Sequence, residues 1–190
     1  MKNKLSPSYF LLIFAAYLFQ VYAIYPVELA LRTDPYVSQV SLAFIPHGMK
    51  VLYALMLGPA SFIYIFLAQL FFGILTSGVT VTVVKGSLIG AAAVVIPILM
   101  INASLKRPLW RAPIDTEVIS INVVWLFLSI SLMASFFNSL SHQRLYGFDK
   151  VYFLFMMISG DMIGSVLIFV VFLFIFRPIM NAIILGKKYE

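Results

Sequence analysis

The chain has 190 residues, of which 63% are hydrophobic and only 11% are charged, whereas an ordinary soluble domain carries about 25% charged residues. A water-soluble core of this size cannot hide so much apolar surface, so lipid is the expected solvent. The absence of cysteine excludes disulfides, thiolate catalysis and cysteine-held zinc or iron–sulfur clusters.

Six apolar segments are predicted as transmembrane helices, because lipid requires every backbone polar group to find its partner within its own segment. In chain order the predicted spans cover residues 9–30, 40–57, 59–76, 79–102, 118–139 and 151–181. The predicted fold is therefore a single all-α integral membrane domain over residues 1–190, a bundle of about six transmembrane helices. The first segment follows a basic start and resembles a signal peptide, but its apolar run is long enough to span, so a retained helix is expected.

The basic residues predict the orientation of the bundle. The net charge of +6 lies mainly at segment ends, which is typical of membrane topology and indicates no nucleic-acid partner. Three groups fall on one face of a six-span bundle: Lys2 and Lys4; Lys106, Arg107 and Arg111; and Arg177, Lys187 and Lys188. Both termini are therefore expected to be cytoplasmic, in a multi-pass protein of the bacterial inner membrane.

The second span contains the sequence IPHGMK, in which Pro46 and Gly48 flank His47. Proline and glycine predict a break or kink in the helix, where backbone carbonyls lose their partners. A single histidine at such a position is most often a hydrogen-bonded core residue. His47 and His142 are the two candidate haem ligands, but they are expected at different depths, with His142 in an outer loop, so the cofactor stays undetermined.

Lys50 and Asp161 are the deepest ionisable groups. Each lies about ten residues into a span, hence about 15 Å deep at a rise of about 1.5 Å per residue. An isolated charge at that depth is costly, so we expect the two to form an ion pair. The pair is either a ligand site or switch, or a structural pin between the second and sixth helices, and the sequence favours neither.

Other polar and small residues have expected places as well. Small-residue spacing at Gly160 and Gly164 favours close helix approach. Lys85 and Glu28 are expected near the surface. Four amides are expected to form hydrogen bonds between helices: Gln20, Gln69, Asn122 and Asn138.

Two blocks of the sequence resemble the type-one membrane-associated sensor domain (MASE family) of bacteria. They begin FIPHGMKVLYALMLGP and MISGDMIGSVLIF, and the resemblance covers about residues 40–180. It implies a membrane-embedded sensory input, which in that family is usually fused to a histidine kinase, diguanylate cyclase or phosphodiesterase. The signature positions are Pro46, Gly48, Gly58, Gly160, Asp161 and Gly164. The family usually has more spans than are predicted here and a fused output domain, and Lys50 departs from its pattern.

Three functions are compatible with these features. The first is a stand-alone sensory or ligand-binding membrane protein that holds a small molecule near Lys50, His47 and Asp161 and signals to a partner membrane protein. The second is an accessory or structural subunit of a larger membrane complex. The third is a small-molecule transporter component, ranked lower because no inverted repeat is seen. No enzyme and no metal site are expected, since the sequence has no nucleophile–base pair, metal cluster or phosphate loop.

Overall fold

The computed structural model describes residues 7–31, 40–104, 121–146 and 151–176, although nothing is stated of the side chains of residues 121–123, 146 and 176. The basic residues that predict orientation near the termini and in the connection around Lys106 lie outside the described residues, as does the predicted span beyond residue 176. The prediction of an all-helical fold is confirmed, since the described part of the chain contains no strand.

Helices form the bundle in the following order. A first long helix consists of α1 (Pro7–Phe19), a π-helical turn (Gln20–Ile24) and α2 (Tyr25–Leu31). It is followed by α3 (Ile45–Leu57), a 3₁₀ turn (Gly58–Ala60), α4 (Ser61–Ser77) and α5 (Val81–Ser104). The chain continues with α6 (Ile121–Tyr146), α7 (Val151–Val171) and a final π-helical turn (Phe172–Phe176).

Five helical stretches of the described chain are long and apolar enough to cross a membrane, so this is a multi-pass membrane protein. They are Pro7–Leu31, Ile45–Ser77, Val81–Ser104, Val124–Leu145 and Val151–Ile175. Large apolar side chains on the outside of the bundle are exposed, as a lipid solvent requires. Examples are Leu75, Trp125 and Phe155, each more than 60% exposed. The count of six spans stays a prediction, because Ile45–Ser77 counts as one stretch by length.

The chain reverses direction inside that stretch, at Gly58. Its φ of 60° and ψ of −140° lie in a region that side chains with a Cβ rarely adopt. The ring of Tyr17 on α1 packs on Phe44, just before α3, and also on Phe72, near the end of α4. The start of α3 is therefore level with the end of α4, and the two helices are antiparallel. The turn therefore falls between the predicted spans 40–57 and 59–76.

Successive helices alternate in direction through the whole described bundle. Gly73 on α4 faces Val83 on α5, so this pair is antiparallel. Phe127 on α6 stacks on Phe169 on α7 at 4.7 Å, and the hydroxyls that these helices share nearer the other end show that they too are antiparallel. α3 runs parallel to α7 and contacts α1, α4, α5, α6 and α7. It is the central helix, and most of its residues, from Ile45 to Ala54, are buried.

The break predicted around Pro46 is present, at the start of a helix. Residues 40–44 are not helical, so the helix predicted from residue 40 begins only at Ile45. Pro46 occupies the first turn of α3, where a missing N–H costs no hydrogen bond. At the other end of the bundle α6 continues past its predicted end to Tyr146. The prediction that His142 lies in a loop is therefore wrong: it lies on a helix.

Glycine permits the close approach of α3 and α7. A Cβ on Gly48 would lie 2.7 Å from the Cα of Ser165. A Cβ on Gly160 would overlap the carbonyl oxygen of Ser41, and one on Gly164 that of Phe44. The predicted close packing at these three glycines is therefore present, and it brings the backbone of α7 against the non-helical segment 40–44.

Candidate functional site

Asp161 is buried in the centre of the bundle and joins three helices. Its side-chain oxygen Oδ2 accepts a hydrogen bond from the hydroxyl of Ser135 at 3.0 Å and one from the amide of Asn138 at 3.4 Å, both on α6. The ring nitrogen Nδ1 of His47, on α3, lies 3.2 Å from the same oxygen. All three groups approach Oδ2, which leaves the second carboxylate oxygen to the neighbouring cavity.

His47 is held at both ring nitrogens. Nε2 lies 3.2 Å from the carbonyl oxygen of Ser131, which can only accept, so Nε2 carries the hydrogen. Nδ1 lies close to Oδ2 of Asp161 without the geometry of a hydrogen bond, so this is a close contact rather than a hydrogen bond. Because each nitrogen faces a protein group, His47 is poorly placed to coordinate a haem iron, and its role as a bridge between α3, α6 and α7 is the better-supported one.

A chain of hydroxyl groups fixes α6 against α7 beside this site. The hydroxyl of Ser131 donates to the hydroxyl of Ser165 at 2.6 Å. That of Ser165 donates to the backbone carbonyl of Asp161 at 2.8 Å. These fully buried bonds set the register in which the carboxylate meets its α6 partners.

Lys50 does not form the predicted ion pair. Its side chain is fully buried, yet its Nζ makes neither a hydrogen bond nor an ion pair with any residue that the structure describes. The nearest aromatic contact is the ring of Phe44, with Nζ 5.8 Å from its centroid. His47 occupies the place beside Asp161 because it lies one turn earlier on α3 and faces α6, whereas Lys50 faces α1, α4 and α5.

Two cavities adjoin the pair of charged groups. The first, the Asp161 cavity, has a volume of about 420 Å³. The second, the Lys50 cavity, has a volume of about 260 Å³. Phe44, Asn138 and His142 line both. These three side chains therefore form a shared wall, with the carboxylate on one side and the ammonium group on the other.

Both cavities lie toward the same end of the bundle. Tyr25 and Val40 line the Asp161 cavity, and Thr76 and Ser77, beside the turn at Gly78, line the Lys50 cavity. These residues lie where α2, the segment before α3 and the α4–α5 turn come together. The distribution of lysine and arginine predicts that this end faces away from the cytoplasm.

The non-helical segment 40–44 is held by side chains from the first helix. The Gln20 amide donates to the hydroxyl of Ser41, and its oxygen accepts from the backbone N–H of Ile45, each at 2.9 Å. Glu28 Oε1 accepts from the Ser41 hydroxyl and from the N–H of Ala43, again at 2.9 Å. The N–H of Phe44 donates to the carbonyl of Gly160 at 2.9 Å. Irregular backbone is stable at this depth because protein groups replace the missing helical bonds.

Several residues of the site differ from their predicted roles. Glu28, expected at the surface, is 5% exposed, so that prediction is wrong. Lys85 is exposed as expected. Gln20 and Asn138 form the predicted hydrogen bonds between helices. Gln69 packs against Gly90 of α5 and lies close to the hydroxyl of Tyr17 without a well-formed hydrogen bond. The side chain of Asn122 lies outside the described residues.

Sequence reasoning missed one member of the site and misplaced another. Ser135 was not singled out, although it lies three residues before Asn138 and hence on the same face of α6. His142 lies one turn after Asn138, and its Nδ1 is 2.9 Å from the Asn138 carbonyl. The spacing of these three residues along one face was the available signal. Among the described residues, no three side chains of metal-ligating type come together.

No known protein family, curated protein or solved structure matches the chain.

Proposed function

We propose that the protein is a sensory or ligand-binding protein of the bacterial inner membrane, which holds a small molecule in its paired cavities and signals to a partner membrane protein. The observation that carries this proposal is Lys50, a fully buried ammonium group that borders a cavity and has no described partner. Buried polar groups in native proteins are almost always paired. An unpaired charge beside a cavity is typical of a site whose partner arrives from outside.

The position of the cavities suits a sensor. A ligand there would touch α1, α3, α4, α5, α6 and α7, because residues from all six line the two cavities. Segment 40–44 borders the Asp161 cavity and is bonded to both the first helix and α7, so a ligand in this cavity would touch the connection between them. A ligand that binds one arrangement of this segment better than another would shift the population toward it.

The resemblance to the sensor-domain family supports the same proposal. Four of its six signature residues lie together in the fold: Gly48, Gly160 and Gly164 pack α3 on α7, and Asp161 lies beside them. Because these motif residues lie at one helix interface and one cavity wall, we infer that they serve the same function. Fold resemblance alone would not establish signalling, so the cavity remains the main support.

An accessory subunit of a larger membrane complex is the second candidate. The broad apolar surface, with exposed side chains such as Phe71 and Phe174, suits another membrane protein as well as it suits lipid. A transporter component ranks third. The broken second helix supports it, but both cavities open toward the same end of the described bundle.

Purification from native membranes in mild detergent, followed by mass spectrometry of bound molecules and proteins, tests the proposal. The expected result is a small molecule retained by the natural protein and reduced about tenfold or more by Asp161→Asn. Ser139→Ala is the matched control, because Ser139 is fully buried on α6 but lines neither cavity. Stoichiometric partner subunits without any small molecule would instead favour the accessory-subunit function.

A further inference from the structure

We propose that the Lys50 cavity binds a small carboxylate monoanion that also carries O–H or N–H donors, in the size range of a short hydroxy acid or amino acid. This inference rests on the proposed ligand-binding function and names the chemical class of the ligand. It follows from the charge, the polar lining and the volume of one cavity.

The charge selects an anion. Lys50 supplies the cavity's cation, while the carboxylate of Asp161 lies behind the shared wall and is already engaged by Ser135, Asn138 and His47. Neither carboxylate oxygen is within ion-pairing distance of the Lys50 ammonium. A carboxylate entering the cavity would form a charge-assisted hydrogen bond, which is about twice as strong as a neutral one.

The remaining polar lining selects a monoanion with donors over a simple inorganic ion. The amide nitrogen of Asn138 donates to Asp161, which fixes the amide so that its oxygen Oδ1 is left without a partner. The oxygen of the Gln69 amide also lacks a well-formed hydrogen bond among the described residues, although the hydroxyl of Tyr17 lies nearby. Two amide oxygens need donors, so a halide would leave them unsatisfied. They would also repel the second charge of a dianion.

The volume limits the size of the ligand. The cavity holds about 260 Å³, below the usual range of about 300–1,000 Å³ for pockets that take drug-sized ligands. A molecule with a handful of heavy atoms fits, whereas a nucleotide does not. Phe44, Phe72 and Val83 line the same cavity, and this apolar part of the wall strengthens the polar contacts beside it.

Thermal unfolding of the purified protein in lipid nanodiscs tests this assignment. The probes are sodium lactate, sodium glycolate, sodium acetate, glycinamide and sodium chloride at equal ionic strength. We expect lactate and glycolate to raise the melting temperature the most and acetate less, with glycinamide no different from chloride. Lys50→Met should abolish the response to the acids, and Lys85→Met should retain it, because Lys85 is an exposed cation on α5.

The stability of the ligand-free variant is a second, independent measurement. Replacing an unpaired buried charge with an apolar side chain of similar length should raise the melting temperature, on the order of 2–4 °C. A counter-ion of Asp161 would behave in the opposite way. A lower melting temperature in Lys50→Met, an equal acid response in Lys50→Met, or no acid response beyond chloride would each overturn the assignment.

The probes also separate this inference from the function on which it rests. Stabilisation by glycinamide but not by the acids, lost in Asp161→Asn, would overturn the anion while keeping a ligand-binding protein. A protein that responds to no probe and that leaves native membranes only with partner subunits would overturn both.

Discussion

Two regions of the chain, one at the start of α3 and one a turn further along it, differ in whether their buried polar groups have hydrogen-bond partners. Around the start of the helix, the backbone N–H groups of Ala43, Phe44 and Ile45 each have a partner from another helix. One turn further on, Lys50 and the amide oxygens beside it have none among the described residues. Both regions lie at similar depth in the same bundle, so the membrane alone does not explain the difference.

The difference teaches how to tell structural polarity from functional polarity in a membrane protein. Glycine at positions 160 and 164 brings an α7 carbonyl close enough to pair with segment 40–44, and the first helix contributes Gln20 and Glu28 for the same purpose. A chain that satisfies its groups so fully in one place retains an unsatisfied lysine in another. Polar groups that stay buried and unpaired need a separate explanation, and a bound ligand provides one.

The largest expected effect comes from filling the α3–α7 interface. Gly164→Leu places a side chain where the carbonyl of Phe44 already lies, so the two helices must separate and segment 40–44 loses its support. We expect loss of folded protein, measured as the yield of monodisperse material in size-exclusion chromatography. Val166→Leu on the exposed face of α7 should leave the yield unchanged, and an equal loss there would contradict the interface as the cause.

Removing the carboxylate of Asp161 comes next. Asp161→Ala leaves Ser135 and Asn138 without their shared acceptor and removes the close contact with His47. The expected cost is about 3–5 kcal/mol in the free energy of unfolding, the range for breaking a buried charged pair. Denaturation in mixed micelles measures it. A cost below about 1 kcal/mol would mean that the three groups find other partners and that the site is not the centre of the bundle's polar network.

Substitutions of Glu28 test whether its side chain supports segment 40–44 through hydrogen bonds. Glu28→Ala removes the acceptor of the Ser41 hydroxyl and the Ala43 N–H, and should cost about 1.5–3 kcal/mol, the range for hydrogen bonds to a charged group. Glu28→Gln retains a side-chain oxygen at the same place and should restore most of the stability in the same denaturation experiment. Equal losses in the two variants would show that the charge, rather than the hydrogen bonds, holds the segment.

The smallest expected effect is a coupling energy, and it distinguishes best between His47 and Lys50 as the partner of Asp161. In double-mutant cycles with Asp161→Ala, His47→Ala should show a coupling energy above about 1 kcal/mol, because the two side chains touch. Lys50→Met should show less than about 0.5 kcal/mol, because the two groups share no direct contact. A larger coupling for lysine than for histidine would restore the ion pair that the sequence favours and remove the contrast between the two regions.

The sequence predicted the elements of the fold better than the partners within the site. Hydrophobic runs located the helices, Gly58 located the turn, and the spacing of Gly160 and Gly164 located the close packing. The position of a residue in a transmembrane helix predicts its depth in the membrane, and the predicted depths of Lys50 and Asp161 are the same. Depth does not give rotation about the axis, and three residues along α3 turn Lys50 toward α4 and His47 toward α6.

The burial of Glu28 could not be predicted from the sequence, for a related reason. A glutamate near the end of an apolar run resembles an interfacial anchor until the partner segment is known. Here the partner is an irregular stretch of backbone, and the sequence does not show which backbone N–H groups need an acceptor. The extension of α6 through His142 was not predicted, because the last turns of this helix are polar and resemble a loop. In the structure their polar face lines a cavity.

The short length of α3 has a consequence for how the protein is made. Its 13 residues span about 20 Å at a rise of about 1.5 Å per residue, less than the hydrocarbon thickness. The segment before it exposes backbone donors that only α7, synthesised last among the described helices, and the first helix can satisfy. The first helix can satisfy the N–H groups of Ala43 and Ile45 early in synthesis, whereas the N–H of Phe44 finds its partner, the carbonyl of Gly160, only once α7 has been made.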